Sequence, residues 1–572
     1  MSEQRRRRPG SHRRRTGLRG RGRGRGRRSL LALALSAFLL VGVCAATGIA
    51  WDPFAAGDRP GTAAAPAVGG PWPTGLASPT GSATPGGSGQ DPGIGHGASP
   101  GPDGAGDGGT GSGGGAGAEQ HRAGALPFDL PDPATLRSSG RKLVFAHYFT
   151  PYPLSLDNAA AADDYYARNY LEPNGENGKH KAYGGLLRDR PLPVAPKGGD
   201  WELANLRQEV ATARAAGLDG FTLDLLSLSG KNWERSNQLM EAARSVDPQF
   251  KVMLMPDMTS LDTDDPGVLA DALAALGKQP AAHRLADGRL VVSPFKAEQK
   301  NAAWWAKVLD TLRTRHGIGT AFVPLFLDFG AHNGEFAPIS YGFSEWGSRS
   351  YVGQEGSARD VQRAHAMGKI WMQPVSVQDA RPNQGVYDEA GNTATLRATW
   401  HRAIEDGADW VQLTTWNDYS EGSQFAPSLH NGHAYLDLSS YYLTRFKTGD
   451  WPRIVRDTLY VTSRTQFAAT APSGDQHLLM SLRKGSAAAR DTVEVLSFLA
   501  SPAAVRTTVG SATSSYEAPA GVHARLLPLR TGTSSATVVR DGRSGASAEL
   551  PYRVQQRAQV QDLQYYAVTS GR

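Results

Sequence analysis

The sequence predicts an α/β protein: a (β/α)8 barrel of the TIM type followed by a C-terminal β-sandwich. Three observations carry that expectation. Between Arg141 and about Asp450, eight short apolar runs occur, most of them separated by amphipathic helical patterns. Polar and acidic residues gather at the carboxyl ends of those runs, where parallel α/β architectures bind ligands. After Trp451 the helical pattern stops and short β-type runs separated by turns take over. A doubly wound sheet is the competing fold, but no Gly-rich phosphate fingerprint follows the first run.

Taken from the amino end, the 572-residue chain is far from uniform. Residues 1–28 hold thirteen arginines and one glutamate, a local +12 against +7 for the whole chain, so the remainder carries −5. The globular part is therefore mildly acidic, which argues against a nucleic-acid partner. Residues 29–51 include Leu30 to Ala50, about 20 uncharged residues that as a helix reach roughly 30 Å. With the arginines before it, this segment is expected to be a transmembrane signal anchor that leaves the tail in the cytoplasm and the body outside; a cleaved signal peptide is the alternative. The only cysteine, Cys44, lies in this segment, so the body has no disulfides and relies on core size for stability. Residues 52–125 are rich in Gly, Pro, Ala and Ser and cannot bury a core; they read as a disordered tether.

Residues 126–450 are expected to form the catalytic barrel. Its strands are placed at 142–150, 218–226, 250–258, 290–295, 321–329, a weaker run at 341–346, 369–376 and 409–416. Asp200 is placed to cap the first helix, in which Leu203, Leu206, Val210 and Ala213 recur at helical spacing before Gly217 ends it. Helices are expected at 232–246, 266–276, 302–316, 358–367 and 394–406, with Asp264 capping the helix that has Pro266 in its first turn. The first strand-helix loop, 151–199, is long enough to carry function. Its Tyr165, Tyr166, Tyr170 and Tyr183 either stack on sugar rings or pack the loop on itself.

The sharpest signal is the stretch GADWVQLTTWNDYSEGSQF, Gly407 to Phe425. An apolar strand ends there in a polar loop with Asp418 and Glu421. Two carboxylates beside an indole and an amide suit sugar chemistry, in which one acid protonates the leaving oxygen and the other activates water or attacks carbon. The competing reading is an Asx turn followed by a helix cap. Other strand ends favour the catalytic reading: His147 and Tyr148 on strand one, Asp224 on two, Asp257 on three, Asp328 on five, Trp371 and Gln373 on seven, and Trp416 and Asn417 on eight. Five acids converging on one face raise each other's pKa unless something uses them. Asp418 and Glu421 are the catalytic candidates, with His147, Tyr148, Asp224, Asp257, Trp371, Gln373, Trp416 and Asn417 as substrate-binding candidates. No metal or cofactor is expected, since HExxH and CxxC are absent and His430 and His433 lack a third ligand.

The motifs VFAHYF, AAGLDGFTLDL, FKVMLMPDM and TTWNDYSE, in that order, resemble family 71 of the glycoside hydrolases, the α-1,3-glucanases or mutanases. The resemblance spans most of residues 141–572. It implies a (β/α)8 barrel with a β-sandwich appendage, inversion of anomeric configuration, and an acid pair in a Trp-Asn-Asp-x-x-Glu loop, which places Asp418 and Glu421. It also implies subsite roles for His147, Asp257 and Trp416. Two departures bear on specificity: Asp224 stands where fungal members have Asn, and Gly-Ser-Gln (422–424) replaces Ser-His-Tyr. The texture around Glu421 also resembles family 99, the endo-acting α-mannosidases and mannanases.

Residues 451–572 read as the β-sandwich, with a hairpin at Asp541-Gly542. Few aromatics precede Tyr565 and Tyr566, so this part is expected to brace the barrel rather than bind carbohydrate. The expectation from sequence is an extracytoplasmic, membrane-anchored monomeric hydrolase of an α-linked polysaccharide, most simply an endo-acting α-1,3-glucanase. A catalytically dead barrel acting as a wall lectin is the rival from another class, opposed by the presence of both Asp418 and Glu421.

Overall fold

The computed structural model describes residues 126–572 apart from 138, 139, 262 and 357. The expected tail (1–28), anchor (29–51) and tether (52–125) lie outside the described residues. Among those that are described, no helix is long and apolar enough to cross a membrane.

Each of the eight apolar runs forms parallel strand. They are β1 (Leu143–Tyr148), β2 (Gly220–Leu225), β3 (Lys251–Pro256), β4 (Leu290–Val292), β5 (Thr320–Phe322) with β6 (Leu325–Phe326), β7 (Gly342–Glu345) and β8 (Ile370–Val375); beyond the short hairpin β9 (Asp379–Arg381) and β10 (Val386–Asp388) comes β11 (Trp410–Leu413). Nine of these make one curled parallel sheet in the order β5-β4-β3-β2-β1-β11-β8-β7-β6. The order runs sequentially, without the reversal of a doubly wound sheet. Its two ends, β5 and β6, are separated only by Val323 and Pro324. Proline has no N–H to give the ladder, so one expected strand becomes two. On one side of this run Val323 N and Leu325 N donate to Val292 O and Pro294 O (2.9 and 3.0 Å), and on the other Tyr341 N and Ser344 N donate to Phe322 O and Pro324 O (2.7 and 3.0 Å).

Between the strands lie α1 (Trp201–Ala215), α2 (Gly230–Val246), α3 (Pro266–Gly277), α4 (Ala302–His316), α5 (Phe329–Phe336), α6 (Ala358–Ala366) and α7 (Ala394–Glu405), with α8 (Ala434–Thr448) after β11. Asp200 caps α1 as expected, accepting from Leu203 N at 3.2 Å. The cap of α3 is Asp265, which accepts from Gly267 N at 2.8 Å; Asp264 pairs with Lys300 instead. The expected strand end at Asp328 is a helix start, because its Oδ1 accepts from Ala331 N at 3.0 Å and opens α5.

Strand alternation sorts the side chains into two layers. Phe145, Met253, Val291, Ala321, Val323, Met372 and Trp410 meet in one cluster on the inner face of the sheet. Their neighbours, such as Val144, Phe221, Leu254 and Val411, pack outward into the large core shared with the helices.

The last part of the chain forms two four-stranded antiparallel sheets. β17 (Gly521–Pro528), β14 (Thr492–Leu499), β12 (Thr458–Ser463) and β20 (Tyr566–Thr569) make one; β16 (Ala512–Ala518), β15 (Ala503–Val509), β18 (Ser534–Arg540) and β19 (Arg543–Glu549) make the other. Leu459, Val461, Val493 and Val495 of the first share an apolar cluster with Val505, Ala536, Val538 and Ala548 of the second. The hairpin at Asp541-Gly542 joins β18 to β19 with φ of 49° and 74°, as a turn of the primed type requires. The apolar stretch His477–Arg483 yields only β13 (Ser481–Leu482), which pairs with β10.

Tyr565 and Tyr566 are buried in the seam between these sheets and the parallel sheet's loops. Tyr435 Oη donates to Tyr565 O at 2.9 Å, Tyr565 N to Gln378 Oε1 at 2.8 Å, and Ala567 N to Asn431 Oδ1 at 3.0 Å. Arg464 and Glu389 pair across the same seam at 2.7 Å, both fully buried.

Candidate active site

At the carboxyl end of the sheet, alternation turns His147 of β1 and Asp224 of β2 inward, and Asp257 follows β3. His147 Nε2 lies 3.4 Å from Asp224 Oδ2, and its Nδ1 lies 3.2 Å from Met255 Sδ. The ring stands edge-on to Trp346, centroids 5.1 Å apart. Burial pushes His147 down to about 4, against the pull of Asp257 and Glu421, so the imidazole is neutral at physiological pH. Burial, reinforced by Asp257 and Glu421, holds the Asp224 carboxyl well above the usual range, and its Oδ1 has no hydrogen-bond partner. Asp257 is saturated locally: Oδ1 accepts from Thr259 N (2.7 Å) and Thr259 Oγ1 (2.6 Å), and Oδ2 from Ser260 Oγ (3.0 Å).

The acid-bearing loop leaves β11 through a cis peptide between Thr414 and Thr415. Thr415 N donates to Ser423 O (3.0 Å) and Phe425 N to Thr415 O (2.9 Å), which closes residues 416–424 into a tight excursion. Asn417 anchors it to the β1 loop, its Nδ2 donating to Phe149 O and Tyr152 O (2.9 and 2.8 Å) and its Oδ1 accepting from Phe149 N (2.7 Å). Asp418 Oδ1 accepts from Ser420 Oγ (2.6 Å), Ser420 N (3.0 Å) and Glu421 N (3.3 Å). Burial raises the Asp418 carboxyl, opposed by Ser420 and Arg381.

Glu421 is held differently. Its Oε1 pairs with Arg381 at 2.6 Å, while its Oε2 is buried without a partner. Burial is the main force lifting it to about 7; Arg381 pulls the other way and Asp418 adds to the rise. Arg381 is itself gripped by Asp379 through two parallel bonds of 2.7 and 2.6 Å. The loop therefore presents one carboxyl poised near neutrality with a free oxygen, three residues from a second carboxyl whose Oδ1 is fixed by hydrogen bonds. That is the equipment of general acid-base catalysis.

The structure brings His147, Asp224, Asp257, Asp418 and Glu421 to one end of the sheet. It does not bring the other candidates there. Tyr148 follows His147 and so faces the helices, where its hydroxyl donates to Glu209 at 2.8 Å. Trp416 is buried with its ring 5.1 Å from Phe221, and Asn417 is spent on backbone. Trp371 and Gln373 share the outer face of β8, the indole donating to Gln373 Oε1 at 2.8 Å; they line a cavity of about 500 Å³ with Asp328, Glu345 and Asp360. Asp328 is exposed, so four acids converge rather than five. The first loop packs on itself: Tyr166 is buried with Tyr152 and Tyr419 and donates to Pro153 O at 2.6 Å, and Tyr165 donates to Glu176 at 2.7 Å. Among the described residues, no cluster of three His, Cys, Asp or Glu side chains could hold a metal ion.

Sequence reasoning missed Trp346, Arg349, Asp379 and Arg381. Arg349 lies over the Trp346 ring at 4.6 Å and donates to Thr414 O at 2.6 Å, bracing the start of the acid-bearing loop. The available signal for the other two was the long segment between strand seven and its helix, which carries Asp-Ala-Arg in strand alternation. Gln564 was also missed; its buried amide packs against Gly422, next to Glu421.

Comparison with known proteins adds a family. Residues 196–569 match glycosyl hydrolase family 71. A glucan endo-1,3-alpha-glucosidase of Schizosaccharomyces pombe is 26% identical over 383 residues, covering 61% of this chain and 87% of that protein. A mutanase of Penicillium rubens is 23% identical over 375 residues, covering 61% and 81%. Among solved structures, the GH99 endo-alpha-mannosidase from Bacteroides thetaiotaomicron aligns with a TM-score of 0.42 at 14% identity, covering 53% of this chain and 97% of that one.

Proposed function

This chain belongs to glycosyl hydrolase family 71 and is a glycoside hydrolase, and from that premise we propose that it cleaves α-1,3-glucan internally, by a single displacement that inverts the anomeric carbon. The names of its relatives, an endo-1,3-alpha-glucosidase and a mutanase, support the substrate. The observation that carries the mechanism is the unequal pair: Glu421, lifted to about 7 with Oε2 unpartnered, beside Asp418 with Oδ1 fixed by hydrogen bonds. In this reading Glu421 gives its proton to the glycosidic oxygen as the bond to the anomeric carbon breaks. Asp418 takes a proton from the water that attacks the opposite face. Asp224, whose Oδ1 has no hydrogen-bond partner, and the neutral His147 hold sugar hydroxyls, the imidazole as donor or acceptor by tautomer. Asn417 and Trp416 shape the loop from behind, and Tyr148 ties β1 to α1.

The wider architecture in this reading is a closed (β/α)8 barrel, residues 126–450, with a β-sandwich, 451–572, braced against it. The two-sided bonding of the β5–β6 run and the shared inner cluster support closure, and the common apolar cluster of the two antiparallel sheets supports the sandwich. The protein acts as a monomer outside the cytoplasm, tethered through residues 29–51.

The test is incubation of the purified protein with α-1,3-glucan, mixed α-glucans and α-mannan, following reducing ends and the anomer first formed. Release from α-1,3-glucan with β-anomers first is expected. Action on mannan alone, or α-anomers first, would overturn substrate or mechanism respectively. Asp418→Asn and Glu421→Gln should each lower kcat by about 10²- to 10⁴-fold with cooperative unfolding retained; full activity in both would reduce the loop to a turn.

A further inference from the structure

We propose that Asp379 and Arg381, on the hairpin after β8, are a positioning pair for Glu421: Arg381 fixes one carboxyl oxygen so that the other alone faces the substrate, and Asp379 fixes Arg381. The inference rests on the reading of Glu421 as the acid.

The geometry is a relay of three charges. Asp379 is fully buried and takes the guanidinium of Arg381 by two parallel bonds of 2.7 and 2.6 Å; the remaining nitrogen, Nη1, reaches Glu421 Oε1 at 2.6 Å. With its Nε–Nη2 edge filled by Asp379, the planar fork cannot rotate, so the Nη1 end that holds Glu421 is fixed in place. The backbone fixes the same register, because Ala380 N donates to Glu421 O at 2.7 Å. Arg483, 3.7 Å from Asp379 Oδ1, adds a cation behind the pair. Consequently Glu421 Oε1 is occupied and Oε2 is the only oxygen left to carry a transferable proton.

The pair also acts on Glu421 with opposite signs. Arg381 favours the carboxylate, and Asp379 both repels it and competes for Arg381. The other groups facing Glu421 are Asp418 on its own loop, Arg349 beyond β7, His147 on β1 and Asp224 on β2. An ion pair that acted only within the hairpin, without reaching Glu421, would leave the titration of Glu421 unmoved when it is removed, and a pair that supplied charge alone would be replaced fully in Arg381→Lys. A positioning pair moves it in two directions.

The experiment measures the pH dependence of kcat/KM on α-1,3-glucan for the wild type, Arg381→Gln, Arg381→Lys and Asp379→Asn, with Glu421→Gln as reference. Glu421 must be protonated to act, so the alkaline limb reports it. Removing the cation in Arg381→Gln should move that limb up by about 1 to 3 pH units, and Asp379→Asn should move it down. Arg381→Lys, keeping charge without the fork, should leave the limb near wild type while lowering kcat more than it changes KM. An unmoved limb in Arg381→Gln, or shifts of the same sign in both variants, overturns the pair. Should Asp379→Asn fail to fold, the contrast of Arg381→Gln with Arg381→Lys decides, a limb that follows the charge being the supporting result and one that does not the overturning one. If Glu421→Gln keeps full activity, the catalytic reading itself has failed, an outcome independent of the Arg381 results.

Discussion

Lys447, in the last turn of α8, is one buried cation joining three segments. Its Nζ meets Asp219 Oδ2 at 2.6 Å and donates to Gly217 O at 3.2 Å, and Asp219 Oδ2 also accepts from Val144 N at 2.7 Å. Both side chains are almost wholly buried, so removing one leaves a charge without a counter-ion in a dry place. Lys447→Met is expected to cost about 3 to 5 kcal/mol, read from urea unfolding at neutral pH. His283 sets a second expectation, of pH dependence. Its ring lies 5.0 Å from Phe145 and 5.7 Å from Trp410, neither nitrogen has a partner, and burial pushes it down to about 4. The unfolded ring takes up a proton below about 6.5 while the folded ring stays neutral until about 4, so stability present above 6.5 is lost as the pH falls. Between pH 7 and pH 5 this one residue accounts for about 2 kcal/mol of lost stability. His283→Leu should remove that share of the slope; an unchanged slope would mean that the ring is protonated in the folded state.

At the scale of single elements, the parallel strands were legible because a strand buried on both faces reads as an uninterrupted apolar run. What such a run conceals is alternation. His147 and Tyr148 are equally suggestive in the sequence, yet only one of two neighbours can face inward, and the same geometry sends Trp371 and Gln373 to the outer face of β8. The apolar run from Ala321 to Phe329 likewise reads as one long strand, whereas Pro324 cuts the ladder and Asp328 begins a helix. Strands β15 and β16 carry little apolar signal because they are built mainly from Ala, Ser and Thr, with Val505 and Val509 their main apolar anchors. That Asp418 and Glu421 lie together was readable because both share one loop. Arg381 was not, since the alternation of its strand lasts only three residues and its meaning comes from a loop on the far side of α7. That loop makes its own prediction. Gly422 has φ of 63°, and a Cβ there would collide with the amide of Gln564. Gly422→Ala should cost about 1 kcal/mol in backbone strain and lower kcat by up to about 10²-fold as Glu421 is displaced, and Gln564→Ala should restore part of that kcat. No rescue would show that the steric partner lies elsewhere.

Across the whole molecule, the antiparallel sheets are bound to the parallel sheet through buried polar groups as much as through apolar ones. Glu389 illustrates the dependence: besides Arg464, it accepts from Tyr565 Oη at 2.7 Å and from Gly391 N at 2.7 Å. Deleting residues 451–572 strips Arg464 and Tyr565 from that carboxylate and uncovers Tyr435, Tyr441 and their neighbours on α8. The expected outcome is aggregation, measured by light scattering, with no active barrel recovered; a soluble and fully active product would make the sheets a dispensable appendage. The seam also has a meaning in time. Arg188 Nε waits for Gln561 O, Gln378 for Tyr565, and Gly422 for Gln564, all supplied from far downstream in sequence. Synthesis runs from the amino end at roughly 5 to 20 residues per second, so on a ribosome every strand of the parallel sheet is finished well before the residues that pack against its acid-bearing loop exist. The nascent chain thus passes through a stage in which the parallel sheet, both acids and the Asp379–Arg381 pair exist but Gln564, which packs against Gly422 beside Glu421, does not.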